Sequence, residues 1–195
     1  MKKEDVLVCS GPKNLKLNNG GLSKALLSAA GREMQDELYQ NYSNGVEYGG
    51  IATSRGYQLP CKFVYHGALQ KWGTSQPDPL STLEEFMMTC LVMANSHCRS
   101  SIAFPTLGLG FLDYPSDQVA KLMTKTIGDF SFKQSAVNIK DIVIVVFEEE
   151  RLSLQSQTDL KTYNQFHNEA QKLTLIINMK KRSDLHPTGP NIPPT

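Results

Sequence analysis

Short apolar runs alternate along the chain with segments in which apolar residues recur every three or four positions. The apolar runs predict strands, and the wider spacing predicts helices. Strands are expected at 6–9, 49–53, 62–66, 101–105 and 142–147, and helices at 22–30, 33–42, 81–94, 119–130 and 156–175. The run from Ile142 to Phe147 is continuously apolar, which is typical of a strand covered on both faces.

This alternation predicts an α/β protein with three layers, in which helices cover both faces of a mixed, mostly parallel sheet. One domain is expected over residues 1–178, followed by a disordered, polar and proline-rich tail over 179–195. Ser81 and Glu84 have the spacing of a capping box, so the third helix is expected to begin at Ser81. Ligands of such sheets bind beyond the carboxyl ends of the strands.

Composition and charge exclude several classes of partner. Among 195 residues, 40% are hydrophobic and 20% charged, and the formal net charge is +1. That charge gives no reason to expect sequence-specific nucleic-acid binding or an anionic membrane. No apolar stretch reaches the ~20 residues of a membrane span, and no signal peptide is recognised, which favours a cytoplasmic or nuclear location.

Cysteine usage gives no reason to expect a metal site. The four cysteines are scattered, at Cys9, Cys61, Cys90 and Cys98. None forms a C-x-x-C pair, and His97 beside Cys98 does not complete zinc-finger spacing. We therefore expect reduced, mostly buried thiols and no metal or other cofactor.

Two glycine loops stand between a predicted strand and a predicted helix. Asn19-Gly20-Gly21 precedes the helix at Leu22, and Gly108-Leu109-Gly110 follows the strand 101–105. Glycine lets the backbone approach an anion closely, and helix N-termini favour negative charge. Together the loops could hold a diphosphate without a lysine or a metal. Neither is a Walker loop or a G-x-G-x-x-G motif, and tight turns explain each loop alone equally well.

Further segments in a fixed order carry a resemblance to a known family. They are Asp5–Val8, Gly20–Leu22 with Ala25, Ala29–Gly31, Thr53–His66, Ser101–Pro105, Gly110 and Tyr114–Pro115. In these segments the chain resembles the macro domain, an ADP-ribose-binding module, over roughly Asp5 to Leu175. It is most similar to the macro domains of multi-macro-domain ADP-ribosyltransferases of the poly(ADP-ribose) polymerase family. It contains nothing that resembles a transferase catalytic domain.

The resemblance implies a cleft for ADP-ribose and assigns its parts. The first loop would meet the distal ribose and a phosphate, and the second would wrap the diphosphate with backbone N–H groups. Phe147 would lie beside adenine, although a core residue at a strand end is an equal interpretation. The implied ligand-binding residues are Asn19, Gly20, Gly21, Leu22, Thr106, Leu107, Gly108, Leu109, Gly110, Phe111, Leu112 and Phe147.

The chain also departs from the family pattern. The usual first strands, with an aspartate that binds the adenine amine, have no equivalent here. The asparagines that usually follow the next strand are replaced at Cys9 and near Pro12. Leu112 stands where an aromatic is common, and Asp113 replaces a common glycine. A carboxylate at position 113 would repel a diphosphate if it pointed inward.

Three functions remain open at this point. The first is a non-catalytic module that recognises ADP-ribose, free or linked to mono- or poly-ADP-ribosylated proteins. The second is a mono-ADP-ribosyl-protein hydrolase, which the missing asparagines disfavour. The third is a degenerate scaffold without a ligand. No catalytic residue is assigned, since His66 is expected to be structural and Cys9 a small buried hydrophobe.

Overall fold

The computed structural model describes residues 4–19, 21–75, 77–133 and 138–145. Nine elements follow one another in these ranges. They are β1 (Glu4–Gly11), α1 (Gly21–Ala30), α2 (Glu33–Asn41), β2 (Ile51–Arg55), β3 (Cys61–Ala68), α3 (Pro79–Ser96), β4 (Ser101–Pro105), α4 (Ser116–Lys133) and β5 (Asp141–Val145). The predicted helix 156–175 and the tail 179–195 lie outside the described residues.

The five strands form one mixed sheet in the order β2-β3-β1-β4-β5. β2 is antiparallel to β3, and every other neighbouring pair is parallel. β1 is central, with Val6 opposite Phe63 on one side and opposite Ile102 on the other. The predicted three-layer α/β fold with a mostly parallel sheet is confirmed.

Each face of the sheet carries its own hydrophobic core. The larger core joins the sheet to α3 and α4 through fully buried side chains such as Phe86 and Phe130. The smaller core joins the other face to α1 and α2 through Leu26, Met34 and Leu38. Truncating a buried phenylalanine of this kind to alanine costs about 3–5 kcal/mol. The two pairs of helices therefore lie on opposite faces of the sheet.

The helix α3 begins before the residue that the sequence pattern indicated. Its N-cap is Asp78, whose carboxylate accepts a hydrogen bond of 2.8 Å from the backbone N–H of Ser81. Pro79 occupies the first helical position, where its fixed φ suits the helix and its missing N–H costs nothing. The expectation that Ser81 begins the helix is therefore wrong.

The two outer strands of the described sheet differ in how far other residues cover them. On β2, the N–H groups of Thr53 and Arg55 donate to Tyr42 Oη at 3.1 Å and to Glu37 Oε2 at 2.9 Å. These bonds cover donors that an edge strand would otherwise offer to another chain. On β5, Val143 and Val145 stay partly exposed, so the two-sided burial expected of this strand is not found. Among the described strands β5 has one neighbour, β4.

No helix in the described ranges is long and apolar enough to cross a membrane.

Candidate functional site

The strand order places the expected ligand crevice at the carboxyl ends of β1 and β4. These strands are adjacent and parallel, so both loops that follow them leave the same edge of the sheet. The chain passes from β1 to α1 on one face and from β4 to α4 on the other. Diverging connections of this kind leave a crevice at the point where they part, which is where ligands of open α/β sheets bind. Both predicted glycine loops border it.

The second loop is closed upon itself by two backbone hydrogen bonds. The N–H of Asp113 donates to the carbonyl of Gly110 at 3.0 Å, and the N–H of Tyr114 donates to that of Gly108 at 3.1 Å. Gly108 has a φ of +80°, and a Cβ there would lie 2.8 Å from Cγ of Tyr114. Glycine is therefore required at 108. A Cβ at Gly110 would meet nothing within 4 Å.

The backbone of this loop keeps a row of hydrogen-bond donors available. None of the N–H groups from Leu107 to Leu112 donates to another residue in the described ranges. Thr106 and Leu107 are buried, whereas Gly110 and Phe111 face solvent, with 83% of Phe111 exposed. Consecutive backbone donors in a turn make a concave site for an anion. The loop thus has the chemistry of a phosphate cradle.

The loop is anchored to the segment that follows β3. The N–H of Trp72 donates to the carbonyl of Leu112 at 2.8 Å, and the Trp72 and Tyr114 rings lie 5.6 Å apart. Leu109 and Leu112 pack against the larger core from the loop side. These contacts fix one side of the loop while its tip stays exposed.

The first loop is held by buried leucines and one glutamine. Leu15 and Leu17 are both buried in the smaller core, and Leu15 adopts a φ of +56°. Gln35 of α2 accepts a hydrogen bond from Leu17 N–H at 2.8 Å and donates to the carbonyl of Leu15 at 3.1 Å. This clamp places exposed Asn19 and Gly21 at the N-terminus of α1.

The thiol of Cys9 lies at the end of β1, beside this loop. It is buried, and its Sγ is 3.7 Å from Oγ of Ser23 in the first turn of α1. Burial raises its pKa to about 11, so the thiol is neutral at physiological pH. A neutral, buried thiol is a poor nucleophile. The interpretation of Cys9 as a small buried hydrophobe fits this environment.

His66, opposite Cys9 on β3, is buried too. Its Nε2 lies 2.8 Å from Oγ of Ser54, and its Nδ1 has no hydrogen-bond partner among the described residues. Burial lowers its pKa to about 3, which keeps the imidazole neutral. With 2% of its surface exposed, His66 offers almost no surface to a ligand.

Ten of the twelve predicted ligand-binding residues lie in the described ranges, and they fall in two groups. The first group lies between β1 and the first turn of α1 and consists of Asn19, Gly21 and Leu22. The second group lies in the loop that follows β4 and consists of Thr106, Leu107, Gly108, Leu109, Gly110, Phe111 and Leu112. Gly20 and Phe147 lie outside the described residues, so their roles stay predictions.

Sequence reasoning missed two groups of residues that shape these loops. Gln35 clamps the first loop, and Lys71 and Trp72 contact the second. Lys71 and Trp72 follow β3, whose carboxyl end lies at the same edge as those of β1 and β4, so the prediction of a mostly parallel sheet held a signal for them. Gln35 carried no such signal, because it lies on the amphipathic helix α2 among other polar residues.

No group of three or more His, Cys, Asp or Glu side chains within the described ranges is placed to hold a metal ion.

Comparisons with known proteins agree on one family. The model of the macro domain family matches residues 12–123. The chain is 30% identical over 159 residues to human protein mono-ADP-ribosyltransferase PARP14 and 27% identical over 185 residues to mouse PARP9. These matches cover 80% and 94% of this chain, but only 9% and 19% of the two relatives. The chain therefore spans a small part of either protein.

Two further kinds of match extend the comparison. An O-acetyl-ADP-ribose deacetylase of Salmonella typhimurium is 26% identical over 143 residues, which are 72% of this chain and 79% of that enzyme. An Oceanobacillus iheyensis macrodomain with bound MES superposes with a TM-score of 0.71 at 23% identity, covering 89% of this chain and 87% of that one. A Trypanosoma brucei macrodomain in complex with ADP-ribose gives 0.66 at 21%, covering 83% and 62%. The solved structures share the fold.

Proposed function

The chain belongs to the macro domain family, and from that premise we propose that it binds ADP-ribose, free or attached to protein, without hydrolysing it. The observation that carries the proposal is that both glycine loops leave adjacent, parallel strands, β1 and β4, at one edge of the sheet. In this proposal the N–H groups of Leu107 to Leu112 receive the diphosphate, and Asn19 to Leu22 meet the distal ribose and one phosphate.

The chemistry of the crevice supports an anionic ligand. Its second loop offers consecutive backbone donors without an acceptor among the described residues, and its first loop leads into the N-terminus of α1. Each helix N-terminus stabilises a nearby anion by about 0.3–1 kcal/mol. A loop of backbone donors and a helix N-terminus at one edge of the sheet suit a ligand with two phosphates better than a ligand with one. A Trypanosoma brucei protein of this fold has been solved with ADP-ribose.

The absence of catalysis is proposed from the side chains beside the first loop. A hydrolase needs a group that activates water at the distal ribose, with a pKa near the working pH. Cys9 and His66, the titratable groups at the ends of β1 and β3, are both buried and neutral. A binding module needs neither of them to react.

A thermal-shift experiment tests binding against the degenerate scaffold. A ligand that binds only the folded chain raises the unfolding temperature, so ADP-ribose should raise it while ribose 5-phosphate does so less. The matched variant is Gly110→Glu, because the space around Gly110 is open and the fold accommodates a side chain there. This variant should unfold at the same temperature as the unaltered chain without ligand and should show no shift with ADP-ribose. Equal shifts in both proteins would exclude the proposed cradle.

A second candidate function is hydrolysis of ADP-ribose derivatives. It is favoured by the similarity to the Salmonella typhimurium O-acetyl-ADP-ribose deacetylase, most of whose length this chain covers. Incubation with O-acetyl-ADP-ribose and with a mono-ADP-ribosylated protein separates the two functions. A binding module leaves both substrates intact. Release of acetate or of ADP-ribose in proportion to the amount of this chain would establish the hydrolase instead.

A further inference from the structure

The ammonium group of Lys71 contacts the tip of the second loop at two places. Its Nζ lies 3.1 Å from Oδ2 of Asp113 and 5.7 Å from the centre of the Phe111 ring. Both members of the ion pair keep more than half of their side chains exposed, 56% for Lys71 and 65% for Asp113. An exposed ion pair of this kind adds little to folding stability, so folding gives little reason for it.

The position of Lys71 is fixed by its neighbours rather than by its own long side chain. Trp72, the next residue, donates its backbone N–H to the carbonyl of Leu112, and its ring lies tilted against that of Tyr114. The hydroxyl of Thr74 donates to the carbonyl of Lys71 at 2.9 Å, which closes a turn behind it. The backbone of Lys71 is therefore docked on the same loop that its ammonium group contacts.

Asp113 lies close to the candidate phosphate cradle. Its backbone N–H donates a turn hydrogen bond of 3.0 Å to the carbonyl of Gly110. The Cα atoms at the two ends of such a turn lie within about 7 Å of each other. That separation is shorter than the ~8 Å Debye length at physiological ionic strength. An uncompensated carboxylate on a residue this close to the loop would therefore oppose the approach of a diphosphate.

We propose that Lys71 is a positioning residue that neutralises Asp113 and so allows the loop beside it to accept a diphosphate. The proposal rests on the proposed function and adds to it a residue whose role is electrostatic. Lys71 offsets a negative charge that this loop carries where the family commonly has glycine. The ligand class that it selects is a dianion, and an uncharged nucleoside gains nothing from it.

Affinity for ADP-ribose, measured by calorimetry at low and at high salt, tests this role. At low salt, Lys71→Ala should bind about three- to tenfold more weakly, the order expected for one unit charge acting on a diphosphate at that distance in water. High salt should shrink the deficit to less than about twofold, because screening shortens the reach of the Asp113 charge. The double variant Lys71→Ala with Asp113→Asn should bind within about twofold of the unaltered chain at both salt concentrations.

A matched control is Lys125→Ala. Lys125 is similarly exposed and pairs with Glu84 and Asp129 on α3 and α4, away from the loop. The Lys125→Ala variant should bind ADP-ribose with the affinity of the unaltered chain. All variants should unfold at similar temperatures without ligand. If the unaltered chain binds but Lys71→Ala binds equally well, or if its deficit persists at high salt or in the double variant, the role of Lys71 is refuted alone. If the unaltered chain fails to bind, the proposed function fails and this inference falls with it.

Discussion

The backbone N–H of Trp72 donates a 2.8 Å hydrogen bond to the carbonyl oxygen of Leu112, and this bond joins the segment after β3 to the candidate diphosphate loop. Trp72 is the only tryptophan of the chain. The centre of its ring also lies 5.6 Å from that of Tyr114, the ring that a Cβ at Gly108 would contact. The fluorescence of a single residue therefore reports on the loop.

ADP-ribose should change the emission of Trp72 as it binds. A ligand on the Gly108–Leu112 backbone alters the polarity and packing next to the indole, so we expect a saturable change in emission intensity or wavelength. The half-saturation concentration should match the dissociation constant from calorimetry. The Gly110→Glu variant, which retains Trp72, is the control and should show a flat titration. Binding by calorimetry without any change in emission would place the ligand elsewhere.

The two glycines of the second loop should respond differently to alanine. Gly108→Ala forces a side chain into a left-handed conformation and against the Tyr114 ring, so we expect a loss of about 1–3 kcal/mol in the free energy of unfolding. Gly110→Ala meets open space without that strain and should change the free energy of unfolding by less than about 1 kcal/mol. Urea denaturation of both variants measures the difference. Equal losses would contradict the loop geometry.

His66 should make the folded chain less stable in mild acid. Its pKa is lowered from 6.5 to about 3 by burial, so between these values the unfolded state binds a proton that the folded state does not. Stability therefore falls as the pH drops through this window, by up to about 1.4 kcal/mol per pH unit. His66→Gln should lack this component, whereas the exposed His97→Gln should retain it. Denaturation curves between pH 7 and pH 4 decide, and parallel slopes for all three proteins would refute the assignment.

Asp5 should stabilise the fold until the pH becomes strongly acidic. Its carboxylate accepts hydrogen bonds from Lys62 Nζ at 2.7 Å and from the backbone N–H of Ser100 at 2.7 Å, and the Lys62 bond is the main cause that lowers its pKa to about 2. A lowered pKa gives stability that is present above the ordinary value of 3.8 and lost as the pH falls towards 2. Asp5→Asn should cost about 1–3 kcal/mol at pH 7. The gap between the two proteins should close towards pH 2, and a constant gap would contradict this origin.

The alternation of apolar runs and helical spacing predicted the layers, because burial on a strand or a helix repeats over a few neighbouring residues. The same pattern placed Asn19 and Gly108 in loops between a predicted strand and a predicted helix of a mostly parallel sheet. It could not predict that Lys71 meets Asp113, since that contact depends on how the loops after β3 and β4 pack in three dimensions. It also could not tell which glycine of Gly108-Leu109-Gly110 is structurally required, because that depends on the ring of Tyr114.

The start of α3 differs from the predicted one for a more local reason. Asp78 and Ser81 are both good N-cap residues, and the capping-box spacing favoured Ser81. Pro79 decides between them, because proline is preferred in the first turn and fixes the preceding residue in an extended conformation.

Calorimetric titration of the unaltered chain with ADP-ribose tests the central claim most directly. We predict saturable heat with one site per chain, abolished by Gly110→Glu, whose circular dichroism spectrum should match that of the unaltered protein. Absence of heat at high micromolar ADP-ribose, or undiminished binding by Gly110→Glu, would contradict a diphosphate site on the Gly108–Leu112 loop.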